Sequence, residues 1–98
     1  MLIVTGSVRS RPGSLDEVLA LSLEHVRRSR AEPGCLLHRV HQDVEDPMHV
    51  VFVEHWEDRA ALAAHFAVPA SGAFVHALAE HTEGRASLEI YDAAPATL

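Results

Sequence analysis

Residues 35–57 read CLLHRVHQDVEDPMHVVFVEHWE, and the order of residue types in this stretch determines the fold class that we predict. Residues 35–43 and 48–57 are two runs that contain many apolar side chains suited to strands. Residues 43–47, between them, carry Asp and Pro, which are typical of a turn. The stretch therefore predicts an antiparallel β-hairpin.

The sequence on both sides of the hairpin predicts the remaining elements. Before it come a strand at residues 2–9 and a helix at 15–31, which Pro33-Gly34 ends. After it come a helix at 59–67, an interruption containing Pro69 and Gly72, a helical piece at 73–81 and an alternating strand at 85–92. The order β-α-β-β-α-β with right-handed crossovers predicts an α+β, ferredoxin-like fold, a four-stranded antiparallel sheet with its helices on one face.

Two positions are candidate helix caps. Ser14 precedes the first predicted helix and Glu17 follows three residues later, which is the spacing of a capping box. Asp58 precedes the second predicted helix. We therefore expect the Ser14 and Asp58 side chains to accept hydrogen bonds from backbone N–H groups of the first helical turns.

The composition is that of one globular domain. The chain has 98 residues, 48% of them hydrophobic, so we expect a single domain with a core at 2–92 and a tail at 93–98. A formal net charge of −6 argues against a nucleic-acid partner. No apolar run reaches the roughly 20 residues that span a bilayer, and the chain does not begin with a signal-peptide pattern, so we expect a cytoplasmic protein without a membrane partner. The single cysteine, Cys35, excludes an internal disulfide, and we expect it to be a small buried side chain.

The alternation of side chains along the hairpin predicts a second copy as partner. One face of the second hairpin strand carries Val50, Phe52, Glu54 and Trp56. Pairing Asp43 near Met48 would place beside them Cys35, Leu37, Arg39 and His41. Both faces of the hairpin are apolar but the helices can cover only one, and we expect the uncovered face to carry Phe52, Trp56, Leu37 and Val50. We therefore predict a homodimer, sheet to sheet, in which Glu54 and Arg39 pair on the inner face.

Four short motifs, in order, resemble a known family. They are Glu32-Pro33-Gly34-Cys35-Leu36, Asp46-Pro47, Glu54-His55-Trp56-Glu57-Asp58 and Ala61-Leu62-x-x-His65. Their types and spacing resemble the antibiotic biosynthesis monooxygenase family of dimeric α/β-barrel proteins, and the resemblance covers about residues 2–92. Members of that family include cofactor-free oxygenases of quinols or aromatic polyketides, haem-degrading oxygenases, isomerases and proteins without a known activity, so the resemblance defines the fold more narrowly than the function.

The resemblance implies two candidate catalytic residues, Trp56 and His65. Trp56 would line a pocket between sheet and helices and stack on a flat substrate, or it would anchor the core. His65 would act as a base or hydrogen-bond a substrate hydroxyl, or it would hold its helix on the sheet. Further candidates for walls and polar groups of a substrate pocket are Phe52, Glu54, Arg39, His38, Phe66 and Phe74.

The resemblance, with Trp56 and His65 as its candidate catalytic residues, implies a cofactor-independent monooxygenase that acts on a small aromatic or quinol ligand. That chemistry needs a dry pocket with a few polar groups that stabilise a substrate anion. The polyketide oxygenases of the family are associated with an asparagine and a tyrosine beside the tryptophan. The present sequence departs from them, because it has no asparagine and its only tyrosine, Tyr91, is on the last predicted strand. The alternative is a non-catalytic member that binds a small ligand or serves as a dimeric module.

We expect neither a cofactor nor a metal ion. A haem-degrading member would use a helical histidine, for which His76 is the candidate, together with an asparagine that this chain lacks. The chain has eight histidines, but no group of them has the sequence spacing of a zinc site.

Overall fold

The computed structural model describes all 98 residues and confirms the predicted α+β, ferredoxin-like fold. The elements are β1 (Leu2–Ser10), α1 (Leu15–Ser29), β2 (Cys35–Gln42), β3 (His49–Trp56), α2 (Arg59–Ala67), α3 (Pro69–Ala79) and β4 (Thr82–Asp92). The strands form one antiparallel sheet in the order β2-β3-β1-β4. The three helices pack on one face of this sheet.

One of the two predicted caps forms and the other does not. The Asp58 carboxylate accepts a hydrogen bond from the Ala61 backbone N–H at 2.9 Å, as expected at the start of α2. The predicted capping box at Ser14 is wrong, because the Ser14 side chain makes no capping hydrogen bond. The Ser14 backbone has φ −107° and ψ 1°, and this conformation departs from the extended one in which a side chain reaches back over the first turn.

The boundaries of α3 and β4 differ from the predicted ones. Helix α3 begins at Pro69, because proline at the first helical position needs no N–H partner and has a suitable φ. Strand β4 begins at Thr82 and includes Gly84, which has φ +69° and lies where the β1–β4 register shifts. Gly84 therefore forms part of a bulge and does not delay the start of the strand.

No single helix is long and apolar enough to cross a membrane, although α2 and α3 together, bent by 64° at their junction, reach that length and composition.

The predicted assignment of sheet faces is wrong. Val50, Phe52, Glu54 and Trp56 are all buried and lie against the helices, not on the uncovered face. A shift in the β2–β3 register between Cys35 and Leu37 also places His38 opposite Glu54 and Val40 opposite Phe52. Arg39 is consequently exposed on the face away from Glu54, so the predicted Glu54–Arg39 pair does not form.

The reason for this error is that both faces of β3 are apolar. Alternation alone therefore does not decide which face the helices cover, and the structure surrounds the Glu54 carboxylate with polar partners. The face that the helices leave uncovered, here called the outer face, carries Ile3, Thr5, Leu37, Val51, Val53, His55 and Tyr91, together with the polar residues Ser7, Arg39, His41 and Glu89.

Candidate functional site

A cavity of about 340 Å³ lies between the sheet and helices α2 and α3. Its walls are mostly apolar and include Phe52, Phe66, Phe74, Val75, Leu78 and Leu88. The polar side chains His25, Glu54 and His65 also line it. A cavity of this size and lining suits a small, flat, mostly apolar molecule with one polar edge.

A second depression, of about 370 Å³, lies at the start of α2 and is shallower. Its lining includes the acidic side chains Glu32, Glu57 and Asp58. It lacks the aromatic walls of the first cavity, and we therefore treat the cavity between sheet and helices as the candidate site.

Glu54 is a buried carboxylate at the polar part of this cavity. Its Oε1 accepts a hydrogen bond from Trp56 Nε1–H at 2.9 Å and lies 3.3 Å from His38 Nε2. Burial alone would raise the pKa of Glu54, but the contacts with His38 and Trp56 and the nearby His65 outweigh it and hold the pKa below its usual range. Glu54 is therefore ionised at neutral pH.

His65, on the second turn of α2, is held by a carboxylate from another part of the chain. Its Nδ1 lies 2.9 Å from Glu32 Oε1, in the loop between α1 and β2. Because an ionised carboxylate can only accept a hydrogen bond, Nδ1 carries a proton in this pair. The other ring nitrogen, Nε2, lies 3.7 Å from Glu54 Oε1, so the Glu32 contact orients the imidazole toward the cavity.

His25, from α1, is a neutral imidazole beside the same carboxylate. Burial, and then the neighbouring His38, His65 and Arg28, lower its pKa to about 3. Its Nδ1 is 2.8 Å from Nη2 of Arg28, and its ring stacks on Phe74 with centroids 4.0 Å apart. The stacking fixes the ring plane at the cavity wall.

The structure brings most of the predicted site residues together. His65, Phe52, Glu54, Phe66 and Phe74 line the cavity. His38 and Trp56 lie behind it, both almost fully buried, with the Trp56 ring centroid 4.5 Å from that of His65. Arg39 is on the other side of the sheet and takes no part.

Sequence reasoning missed Glu32 and His25. Glu32 stands in the quoted Glu-Pro-Gly-Cys motif, so its pairing with the motif histidine could have been suspected. His25 occupies the same helical stripe as the buried residues Val18, Ser22 and Ser29, and its spacing from them was the available signal.

The fold and this cavity define a ferredoxin-like α+β domain with a ligand-sized space between its sheet and its helices. The family model for antibiotic biosynthesis monooxygenase matches residues 1–77. The chain therefore belongs to the antibiotic biosynthesis monooxygenase family, which confirms the resemblance in the four motifs.

Individual relatives agree with this assignment. A solved antibiotic biosynthesis monooxygenase is 37% identical and superposes with a TM-score of 0.89, covering 97% of this chain and 100% of its own. A candidate antibiotic biosynthesis monooxygenase from Deinococcus radiodurans is 26% identical, with a TM-score of 0.94 over 100% of this chain and 97% of its own. An uncharacterized protein of Synechocystis sp. is 32% identical over 92% of this chain, and the present chain spans 61% of the length of that relative.

Proposed function

We propose that the protein is a cofactor-independent monooxygenase that acts on a small aromatic or quinol compound bound in the cavity. The observation that carries the proposal is an apolar cavity, walled by aromatic rings, that has a buried carboxylate and an oriented imidazole in one part of its lining. Family membership and the 37% identical monooxygenase structure support the reaction class.

The proposed first step is removal of a proton from a substrate hydroxyl. His65 Nε2 accepts this proton while Glu32 retains the hydrogen bond at Nδ1. Glu54, 3.7 Å from Nε2, stabilises the resulting imidazolium. Glu32 is a positioning residue in this scheme, because it touches the imidazole and not the substrate.

The deprotonated, electron-rich ring then reacts directly with dioxygen. A phenolate gives an electron to dioxygen, and the two radicals combine to form a carbon–oxygen bond. The oxygen–oxygen bond then breaks, one oxygen atom stays on the ring as a quinone carbonyl, and the other leaves as water. The substrate's own oxidation supplies every electron, so the atoms balance without an external reductant.

We also propose that two copies assemble through the outer face into a cytoplasmic homodimer. Val51, Val53 and Leu37 are only half-buried there in the single chain. A matching face of a second copy is the simplest cover for such apolar side chains. Cys35, which has no disulfide partner, is compatible with a reducing compartment.

The activity is tested by oxygen uptake with a panel of simple phenols, naphthoquinols and anthrones. The wild type should consume dioxygen with at least one class and release the corresponding quinone. His65→Gln should lower kcat by about 100-fold or more, the usual contribution of a general base. Glu32→Gln should lower kcat by less than His65→Gln and leave KM nearly unchanged, because the imidazole loses the carboxylate that fixes which nitrogen carries the proton while the apolar substrate contacts remain.

The matched control is His76→Gln, an exposed histidine on α3, which should leave turnover unchanged. Full activity in His65→Gln would contradict the proposed base. A thermal shift with a panel member but no oxygen uptake by any of them would favour the alternative, a non-catalytic protein that binds a small ligand.

A further inference from the structure

We infer that His25, His38 and His65 form a binding site for one divalent transition-metal ion, such as Zn²⁺ or Co²⁺, with the Glu54 carboxylate beside them as a fourth ligand. The three imidazoles come from α1, β2 and α2 and are all buried. The inference does not rest on the proposed oxygenase activity, although both involve His65.

The spacing of the three rings fits a metal site. Their centroids are 5.2 Å apart for His25 and His38, 5.3 Å for His25 and His65, and 5.5 Å for His38 and His65. Zinc–imidazole bonds of about 2.0–2.1 Å at tetrahedral angles would hold ring centroids about 5.2 Å apart. The observed triangle therefore has the size that one tetrahedral ion requires.

The candidate ligand atoms are also close to one another. One ring nitrogen from each histidine lies within 4.8 Å of the other two. Three nitrogens at this separation are each about 2.8 Å from the centre of the triangle that they form. Each nitrogen would have to move about 0.7 Å toward an ion at that centre to reach the zinc–nitrogen bond length of about 2.0–2.1 Å. Binding would therefore require rotation of the His38 and His65 side chains and displacement of the His25 ring within its plane, in which it remains stacked on Phe74.

His38 provides an independent sign of a missing partner. It is 1% exposed, and neither of its ring nitrogens has a hydrogen-bond partner. Nε2 makes only a contact of 3.3 Å with Glu54 Oε1, and Nδ1 is left without any partner. A buried polar group without a partner destabilises the fold, and a bound ion would supply the missing partner.

The surroundings of the cluster resemble those of metal-binding histidines. Such histidines commonly donate their second N–H to a carboxylate, as His65 Nδ1 does to Glu32 at 2.9 Å. The carboxylates of Glu32 and Glu54 together balance a dication. Arg28 opposes it, since its Nη2 lies 2.8 Å from His25 Nδ1.

The Arg28 contact can give way. To ligate through Nε2, His25 would carry its proton on Nδ1 and could no longer accept a hydrogen bond from Arg28. Arg28 Nη2 would still have an acceptor, because it also donates to the Ala70 backbone carbonyl at 3.2 Å. The cavity itself provides the entry route, because His25, Glu54 and His65 line it. A bound ion would occupy the Nε2 lone pair of His65, so metal binding and the proposed proton transfer exclude each other.

Cobalt titration tests the site. The full chain is prepared without a polyhistidine tag, stripped with EDTA and titrated with Co²⁺ while visible absorption is followed. We expect saturation at one ion per chain with the strong bands of four-coordinate Co²⁺, and loss of these bands on addition of Zn²⁺. Removal of a residue that only hydrogen-bonds a metal ligand weakens metal affinity about 10- to 100-fold. His38→Gln removes a ligand itself and should therefore weaken Co²⁺ binding by at least as much.

His41→Gln is the matched control, because His41 lies on the same strand but is exposed, and it should bind Co²⁺ like the wild type. Nitrogen-15 NMR of the imidazoles gives a second test on the unaltered protein. Zn²⁺ should shift the ring-nitrogen signals of His25, His38 and His65 and leave those of the other five histidines in place. Absence of a saturable cobalt spectrum, wild-type affinity in His38→Gln, or zinc shifts confined to other histidines would each overturn the inference.

Discussion

His65 and Glu32 are 33 positions apart, yet their side chains meet at 2.9 Å. Each belongs to one of the motifs that the sequence displays, the first to Ala-Leu-x-x-His and the second to Glu-Pro-Gly-Cys. The two motifs therefore act together at one site, because the Glu32 carboxylate fixes which imidazole nitrogen of His65 carries the proton. The tautomer of His65 is therefore set by a residue on another element.

Cys35 gives a prediction at the scale of one residue. It is half-buried, somewhat less buried than the sequence suggested, and burial and then the nearby Glu32 and Glu54 raise its pKa. Since only the thiolate reacts, alkylation by iodoacetamide at pH 8 should be slower than for an ordinary thiol, and its rate should continue to rise above pH 9. Mass spectrometry of samples quenched at a series of pH values measures this profile.

The urea-unfolded chain is the control for Cys35 and should show the profile of a free thiol, with a midpoint at about pH 8.5. Equal midpoints for the folded and unfolded chains would contradict a raised pKa.

The turn before β2 gives a prediction at the scale of elements. Gly34 has φ +80°, and a Cβ added there would lie 2.5 Å from the Ala61 Cβ on α2. Gly34→Ala should therefore destabilise the protein both by backbone strain, about 1–2 kcal/mol, and by pushing α2 away from the sheet. Urea unfolding followed by circular dichroism measures the change.

Gly13→Ala is the matched control, because Gly13 has a similar φ of +82° with nothing within 4 Å of an added Cβ. It should show the backbone cost alone. If the two variants lost equal stability, close packing between this turn and α2 would not contribute.

The outer face gives a prediction at the scale of the whole molecule. Val53 lies on β3 between β1 and β2, in the middle of that face. Sedimentation of the wild type should give about twice the chain mass of 10.7 kDa, and Val53→Arg should give single chains, because it buries a second guanidinium directly opposite Arg39 in the interface.

Val44→Arg is the control, since Val44 is 98% exposed in the turn between β2 and β3 and this substitution should not alter assembly. A wild-type protein that sediments as a single chain at micromolar concentration would refute the dimer.

The sequence by itself determined the elements, their order and the fold class. Apolar periodicity, the Asp58 cap and the turn residues are local signals, and each acts within one element or between neighbours. The same locality explains the errors at Ser14 and Gly84, where the type of residue allowed a cap or a break that the backbone did not adopt.

Only the tertiary structure decided which face of β3 is buried and which histidines meet. Both faces of β3 are apolar, so the choice depended on whether a buried Glu54 could find polar partners. Those partners are Trp56, His38 and His65, and two of them belong to other elements. Linear spacing carries no information on such contacts, since the energy that makes a buried carboxylate tolerable arises only when separate elements pack together.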